Sequence, residues 1–324
     1  MLPRRLAALC LPIAALAFPT IASAAPLKDR VIERVSARAS QAPTSYPTAD
    51  GTMIRVAAAD PAVAQRYATF VGTLPHGAEL AELRIVVVAA ADVGAACGSR
   101  EDDGTVACYG ANDKTMIVPD AAPADSEYSV EYVIAHEYGH HIAAHRSNAP
   151  LPALDYGPKR WASYELVCLN SMRGRLAPGD EGDDYLANPG EAWAEAYARL
   201  VFPNEAWRFT SLLRPTQGAL LAAMADVTQP WTRRTVATFS DSGTKAFRLP
   251  LTLDGAFTVT LDAPRGTKYD LILRSGADEV ERSSKGRIHF RIACRDRRTE
   301  KLTIKVQRRS GPPAAYTLEA RYAG

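Results

Sequence analysis

Histidine and cysteine are scarce in this chain: its 324 residues include six histidines and five cysteines. After residue 24 no apolar run approaches the roughly 20 residues that a membrane-spanning helix requires, so the sequence predicts no membrane span. The basic residues are dispersed and no nucleic-acid recognition motif accompanies them, so nucleic acid is not an expected partner. Because histidine and cysteine are so few, any metal site must use a small number of these side chains.

The first 24 residues have the features of a secretory signal peptide. Arg4 and Arg5 precede an apolar stretch, and residues 22–24 read Ala-Ser-Ala, which forms an A-x-A cleavage site. Pro12 and Pro19 interrupt the apolar stretch, which argues against a permanent membrane anchor. The sequence thus predicts an exported protein, either secreted or periplasmic.

Four cysteines remain after the signal peptide, and an even number in an exported protein favours disulfides over free thiols. Cys97 and Cys108 flank a short polar loop, so we expect them to pair with each other. Cys168 and Cys294 would then pair across domains or stay reduced.

The strongest functional motif is HExxH, at residues 136–140. The surrounding segment, residues 129–144, is predicted to be a helix with an apolar face toward the core on the side opposite the motif. His136 and His140 are four residues apart, so both imidazoles lie on one helical face and can reach one metal ion. Glu137 is turned about 100° from His136. This position suits a general base acting on zinc-bound water, and the motif predicts a catalytic Zn²⁺ site.

A catalytic zinc ion usually has three protein ligands, so one more ligand is expected. The best candidates are Glu191 and Glu195, which share a helical face in residues 188–199. We favour Glu191 as the ligand, with Glu195 accepting the free N–H of a ligating histidine. Alternatively, Asn188, Pro189 and Glu191 form a capping box that needs no metal, and Glu195 is then the ligand. No histidine follows in HxxGxxH spacing, which excludes a metzincin-type site.

The motifs HEYGHH and NPGEAWAEAYA together resemble the zincin metallopeptidases of the gluzincin type, in which a glutamate on a second helix completes the metal site. The resemblance covers these two helices. It implies that His136, His140 and Glu191 bind zinc, that Glu137 is the base and proton shuttle, and that Glu195 supports a ligand. Unlike the thermolysin pattern, the second motif ends in Glu and not in Asp.

Two further elements are candidates for contact with a substrate. Tyr185, six residues before Glu191, is the candidate oxyanion donor, ahead of Tyr164 and Tyr197. Residues 105–109 and 114–118 are predicted to form a hairpin. Residues 115–118 would then be either an edge strand that pairs with a peptide substrate or a purely structural strand.

The predicted fold is an α+β zincin-like catalytic domain, residues 25–231, followed by an all-β sandwich domain, residues 232–324. Helical and strand patterns mix in the first part, whereas short alternating strands recur at regular spacing in the second. These strands are predicted at residues 256–261, 269–273, 288–292, 302–306 and 316–319. The phrases GTKYDLILRSG and PAAYTLEARY resemble the pre-peptidase C-terminal domains of many secreted bacterial proteases.

The two predicted domains have opposite charge. Residues 232–324 contain 19 Lys and Arg against 10 Asp and Glu, a formal charge of +9, and residues 25–231 contain 17 against 26, a formal charge of −9. The basic domain could bind an anionic surface or a polysaccharide. Docking between the domains, or a solvated basic face, would also account for this charge.

These features predict a secreted zinc-dependent metalloendopeptidase that acts on a protein or peptide substrate. One alternative is a secreted binding or adhesion protein with a structural or degenerate zinc site. Glu137 argues against it, because structural zinc sites typically use four ligands rich in cysteine. A second alternative is a zinc amidase that hydrolyses a non-protein amide, such as a cell-wall bond.

Overall fold

The computed structural model describes residues 30–32, 42–99, 104–122, 128–146, 150–240, 245–251, 253–292, 294 and 300–323. The predicted signal peptide lies outside these residues. The described chain has an α+β part followed by an all-β part, as predicted. No helix in the described ranges has the length and apolar character needed to cross a bilayer.

The α+β part contains a six-stranded mixed sheet with strand order β1-β5-β6-β4-β3-β2. Its strands are β1 (Val31–Ile32), β2 (Thr44–Pro47), β3 (Met53–Ala57), β4 (Arg84–Val88), β5 (Cys108–Gly110) and β6 (Thr115–Pro119). Strands β3, β4 and β6 pair in parallel, while β5 and β6 form the predicted antiparallel hairpin.

Strand β6 lies inside the sheet between β5 and β4, and all five of its residues are buried. Both of its backbone edges are therefore already paired. The interpretation of residues 115–118 as an edge strand for a peptide substrate is wrong, because β4 occupies the edge that the hairpin alone would leave open. At the edge of the sheet, β1 pairs with β5 through bonds from Tyr109 N to Arg30 O (3.0 Å) and from Ala111 N to Ile32 O (2.8 Å).

Eight helices are described in this part: α1 (Pro61–Val71), α2 (Val93–Ala96), α3 (Val130–Ala144), α4 (Ala153–Tyr156), α5 (Lys159–Tyr164), α6 (Val167–Met172), α7 (Pro189–Ala198) and α8 (Gln217–Thr228). Short 3-10 turns occur at Ala78–Glu82, Ala90–Asp92, Tyr185–Ala187 and Ser211–Leu213. Helix α3 packs against β5 and β6 on one face and against α7 on the other.

Helix α3 begins at Val130, one residue after the predicted start, because the Ser129 side chain caps it by accepting a hydrogen bond from Tyr132 N at 3.1 Å. Its burial differs from the prediction. We expected one core face and one face for chemistry, but every residue of α3 is buried except Glu131 and Ala144, which are half-buried. The histidine face is covered because α7 packs directly against it.

The all-β part consists of two four-stranded antiparallel sheets, with orders β11-β10-β13-β8 and β12-β9-β14-β7. The strands are β7 (Thr232–Phe239), β8 (Lys245–Leu251), β9 (Gly255–Asp262), β10 (Lys268–Ser275), β11 (Asp278–Ser283), β12 (Arg287–Ile292), β13 (Glu300–Ser310) and β14 (Tyr316–Ala323). Side chains from both sheets, among them Val259 and Ile304, share one core, so the sheets pack face to face. All five predicted strands are present; β7, β8 and β11 were not predicted.

Two disulfides are formed. The expected local pair, Cys97–Cys108, joins the end of α2 to β5. Cys168 and Cys294, for which pairing or reduction were both considered, are paired and connect α6 to the loop after β12. The second disulfide therefore joins the α+β part to the all-β part.

Candidate metal centre

Helices α3 and α7 approach each other closely at Gly139 and Ala194. A Cβ atom placed on Gly139 would lie 2.8 Å from Ala194 Cα, so only glycine fits there. The contact is fixed by the Trp193 indole, whose Nε1 donates to Gly139 O at 3.0 Å. This packing places the histidine face of α3 opposite the glutamate face of α7.

His136, His140 and Glu191 meet at this contact. Glu191 Oε2 is 3.3 Å from His136 Nε2 and also 3.3 Å from His140 Nε2. One ligand atom from each residue lies within 4.8 Å of the others, and all three residues are buried. The group could therefore hold a metal ion.

The donor atoms fit a zinc ion in chemistry and in spacing. Two neutral imidazole nitrogens and a carboxylate oxygen would present lone pairs to one another, and a cation between them removes that repulsion. Ligands about 2.0–2.1 Å from a tetrahedral zinc ion are about 3.3–3.4 Å apart, and the two observed separations are 3.3 Å. Two histidines and one carboxylate also leave a fourth position for water or substrate, as in catalytic zinc sites.

Glu195 lies on the other side of the His136 ring. Its Oε2 is 3.4 Å from His136 Nδ1, so one imidazole faces Glu191 and Glu195 through its two nitrogens. A carboxylate on Nδ1 fixes the tautomer in which Nε2 has a free lone pair. Glu195 thus lies next to a nitrogen of His136, and its predicted role of accepting the N–H of a ligating histidine stays a prediction.

Tyr132 belongs to the same cluster and was missed in the sequence analysis. Burial raises the pKa of Tyr132, and the nearby charge of Glu195 raises it further. Tyr132 therefore remains protonated and can donate to Glu195. The sequence could have indicated this position, because Tyr132 is four residues before His136 and therefore lies on the same face of α3.

Only one of the two hydrogen bonds of the capping box proposed for α7 is formed. Asn188 Oδ1 accepts a hydrogen bond from Gly190 N at 2.9 Å, and Pro189 occupies the first helical position. Asn188 N, however, donates to Tyr185 O at 2.9 Å and not to Glu191. Capping thus accounts for Asn188 and Pro189, whereas the Glu191 carboxylate is directed at the histidines.

Of the two predicted catalytic residues, Tyr185 contacts the cluster, whereas Glu137 follows His136 along α3. Glu137 is fully buried beside His136. Its charge, with that of other carboxylates, adds to burial in raising the pKa of Tyr109. The half-buried Tyr185 donates its hydroxyl to Glu191 Oε2 at 3.1 Å. Tyr185 is therefore at the site, on the oxygen that both histidines face, and its predicted role as oxyanion donor stays a prediction.

Three other histidines, His141, His145 and His76, lie outside the cluster. His141 Nε2 donates to Glu79 O at 2.9 Å, and its Nδ1 accepts from the Tyr109 hydroxyl at 3.0 Å. Burial lowers the pKa of His141 to about 3, so the ring is neutral. His145 and His76 contact other carboxylates. All three histidines therefore contact groups other than the cluster of His136, His140 and Glu191.

Comparison with known proteins gives weak likenesses. No family model matches the sequence, and no curated protein matches it. A mitogen from Yersinia pseudotuberculosis is 16% identical over 29% of this chain and 86% of its own, with a TM-score of 0.23. A periplasmic inhibitor of g-type lysozyme from Aeromonas hydrophila is 14% identical over 28% and 84%, with a TM-score of 0.22. The pre-peptidase C-terminal domain of a Bacillus anthracis collagenase is 9% identical over 28% and 89%, with a TM-score of 0.22. Likenesses at this level carry no argument about activity.

Proposed function

We propose that this protein is an exported zinc-dependent metallopeptidase that hydrolyses peptide bonds. The observation that supports the proposal is the convergence of His136, His140 and Glu191, with two nitrogen-to-oxygen separations of 3.3 Å, beside a buried glutamate in the HExxH motif. Disulfides form and persist in the oxidising compartments that exported proteins reach, so the two disulfides agree with export.

The proposal gives each residue of the cluster one task. His136, His140 and Glu191 hold the zinc ion, and Glu195 orients His136 through its Nδ1. When bound, the ion lowers the pKa of water and polarises a substrate carbonyl. Glu137 accepts the proton from the attacking water and passes it to the leaving amine.

Tyr185 is proposed to stabilise the negative charge that develops on the substrate oxygen. Its hydroxyl now donates to Glu191 Oε2, so it must exchange that partner for the substrate oxygen during the reaction. Glu137 and the metal-binding residues are each at most 1% exposed. A peptide therefore reaches them only when neighbouring chain moves aside, as is common in enzymes whose sites exclude water.

The test is hydrolysis of denatured casein by the protein and by its Glu137→Gln variant. We expect the variant to lose at least a hundredfold in rate, in line with the usual contribution of general acid–base catalysis, and to keep its zinc, because Glu137 is not a ligand. Glu131→Gln, a half-buried position on the same helix, is the matched control and should retain full activity. A chelator should abolish the activity and added zinc should restore it.

The same assay separates the proposal from its alternatives. Full activity of the Glu137→Gln variant would refute the mechanism. Hydrolysis of a purified cell-wall amide without hydrolysis of casein would favour the zinc amidase. Zinc binding without hydrolysis of either substrate would favour the binding protein.

A further inference from the structure

The sheet β12-β9-β14-β7 has an outer surface that is almost entirely polar. Alternate residues of β9, β12 and β14 point into the shared core, and the residues between them point outward. The register of β7 with β14 places Arg234, Val236 and Thr238 on the same outer side. We call the outward side chains the polar face: Thr258, Thr260 and Asp262 of β9; Arg287, His289 and Arg291 of β12; Thr317, Glu319 and Arg321 of β14; and Arg234, Val236 and Thr238 of β7. Nine of these side chains line a groove of about 590 Å³.

Strand register places the side chains of the polar face in rows across the sheet. In one row, Arg321 lies between Arg234 and Thr258. His289 follows at the far side of Thr258, with its Nδ1 3.0 Å from the threonine hydroxyl.

The next row contains Glu319 between Val236 and Thr260, with Arg287 beyond Thr260. Each row crosses four strands and is therefore about 14 Å wide. Arginines thus stand at both sides of a strip of threonine hydroxyls.

Two arginines that are hydrogen-bonded to the same glutamate lie at the centre of the polar face. Glu319 accepts hydrogen bonds from Arg234 Nη2 at 2.9 Å and from Arg321 Nε at 2.6 Å. The hydrogen bond from Arg234, and to a smaller extent the one from Arg321, lowers the pKa of Glu319 to about 2, so the carboxylate stays ionised. Each guanidinium has five N–H donors, so both retain donors for a ligand while Glu319 limits their motion.

The polar face has a surplus of positive charge and is exposed at its central arginines. Its four arginines exceed its two carboxylates, which gives a formal charge of +2 with His289 neutral. The side chains of Arg234 and Arg321 are 58% and 60% exposed. The docking of the two domains, considered as an explanation of their charges, therefore leaves this face open to solvent.

We propose that the polar face binds an acidic polysaccharide. Guanidinium groups bind carboxylate or sulfate substituents through paired hydrogen bonds. The threonine hydroxyls can donate to and accept from sugar hydroxyls, and Glu319 and Asp262 can accept from them.

The composition of the face argues against nucleic acid. Among its described side chains there is no Phe, Tyr or Trp ring on which bases could stack.

Binding of the full-length protein to immobilised dextran sulfate tests the proposal, with neutral dextran and a single-stranded polynucleotide as comparison ligands. The double variant Arg287→Gln, Arg321→Gln should weaken binding to dextran sulfate about tenfold, because it removes two exposed charge contacts. The matched control is Lys268→Gln, Lys305→Gln, which removes the same charge from the other sheet and should change binding less than twofold. Casein hydrolysis should be unchanged in both variants.

Three results would overturn the proposal. They are failure of the protein to bind dextran sulfate at physiological salt, equal losses in the two double variants, and binding to the polynucleotide as strong as binding to dextran sulfate. None of them bears on the zinc site, so the proposed peptidase activity stands or falls separately.

Discussion

Gly139→Ala should damage the metal centre although glycine at this position supplies no ligand atom. The added Cβ would lie 2.8 Å from Ala194 Cα, 3.2 Å from its Cβ and 3.3 Å from its carbonyl oxygen. Because two of these atoms belong to the backbone, no rotation of a side chain relieves the collision. Helix α7 must move away from α3 by about 1 Å to restore ordinary contact distances, which are about 3.5–4.0 Å between carbon atoms.

Two opposing terms set the size of the effect. Overpacking a core costs about 1–3 kcal/mol, and replacing glycine by alanine within a helix returns up to about 1 kcal/mol. We expect a net loss of about 1–2 kcal/mol, which corresponds to a fall of a few degrees in Tm. Since Glu191 and Glu195 are carried by α7, the same movement lengthens their contacts with the histidines, and zinc affinity should fall at least tenfold.

Thermal unfolding with and without zinc, together with competitive zinc titration, measures both effects. The matched control is Gly94→Ala in α2, where the nearest atom to a new Cβ is 3.9 Å away. It should leave zinc affinity unchanged and Tm equal or slightly higher. The reasoning is refuted if Gly139→Ala behaves like this control.

Two predictions concern stability. Burial raises the pKa of Asp226 from 3.8 to about 7, so its protonated form favours the folded state, and the resulting stability is present below about pH 4 and lost as pH rises through 7. Between pH 5 and 8 the unfolding free energy should therefore fall by a few kcal/mol in the wild type, and this fall should be smaller in Asp226→Asn when both are measured by denaturant titration. An unchanged pH profile in the variant would contradict this. Removing Cys168–Cys294, which are 126 residues apart, should cost about 5 kcal/mol, against about 3 kcal/mol for Cys97–Cys108, which are 11 apart. Equal losses would show that loop length does not determine these contributions.

The order of elements in the fold was predictable where local signals were strong. Helix α1 begins at Pro61 after the Asp60 cap and ends at Val71, and Asp followed by Pro is a local sequence signal for a helix start. Strand β7 was missed because it has no alternation of apolar residues, since its residues 232–236 are all exposed. The position of β6 inside the sheet was also not predictable, because a hairpin does not show which strand will pair with its second edge.

The candidate site shows the same division between local and long-range information. The spacing of His136 and His140 fixes their common face on any helix, and this needs no tertiary contact. The choice between Glu191 and Glu195 depended on how α7 is rotated against α3, which the packing at Gly139 determines. The burial of nearly all of α3 was likewise not predictable from its own pattern, because it results from α7 covering the histidine face.

The zinc content of three purified proteins tests the central claim most directly. Wild type should contain one zinc ion per chain, Glu191→Ala should contain almost none, and Glu195→Ala should retain zinc with an affinity lower by about 10–100-fold. This order follows from Glu191 Oε2 lying 3.3 Å from both histidine Nε2 atoms, while Glu195 lies 3.4 Å from the opposite nitrogen of His136. Loss of zinc in Glu195→Ala with full retention in Glu191→Ala, or no zinc in the wild type, would contradict the account.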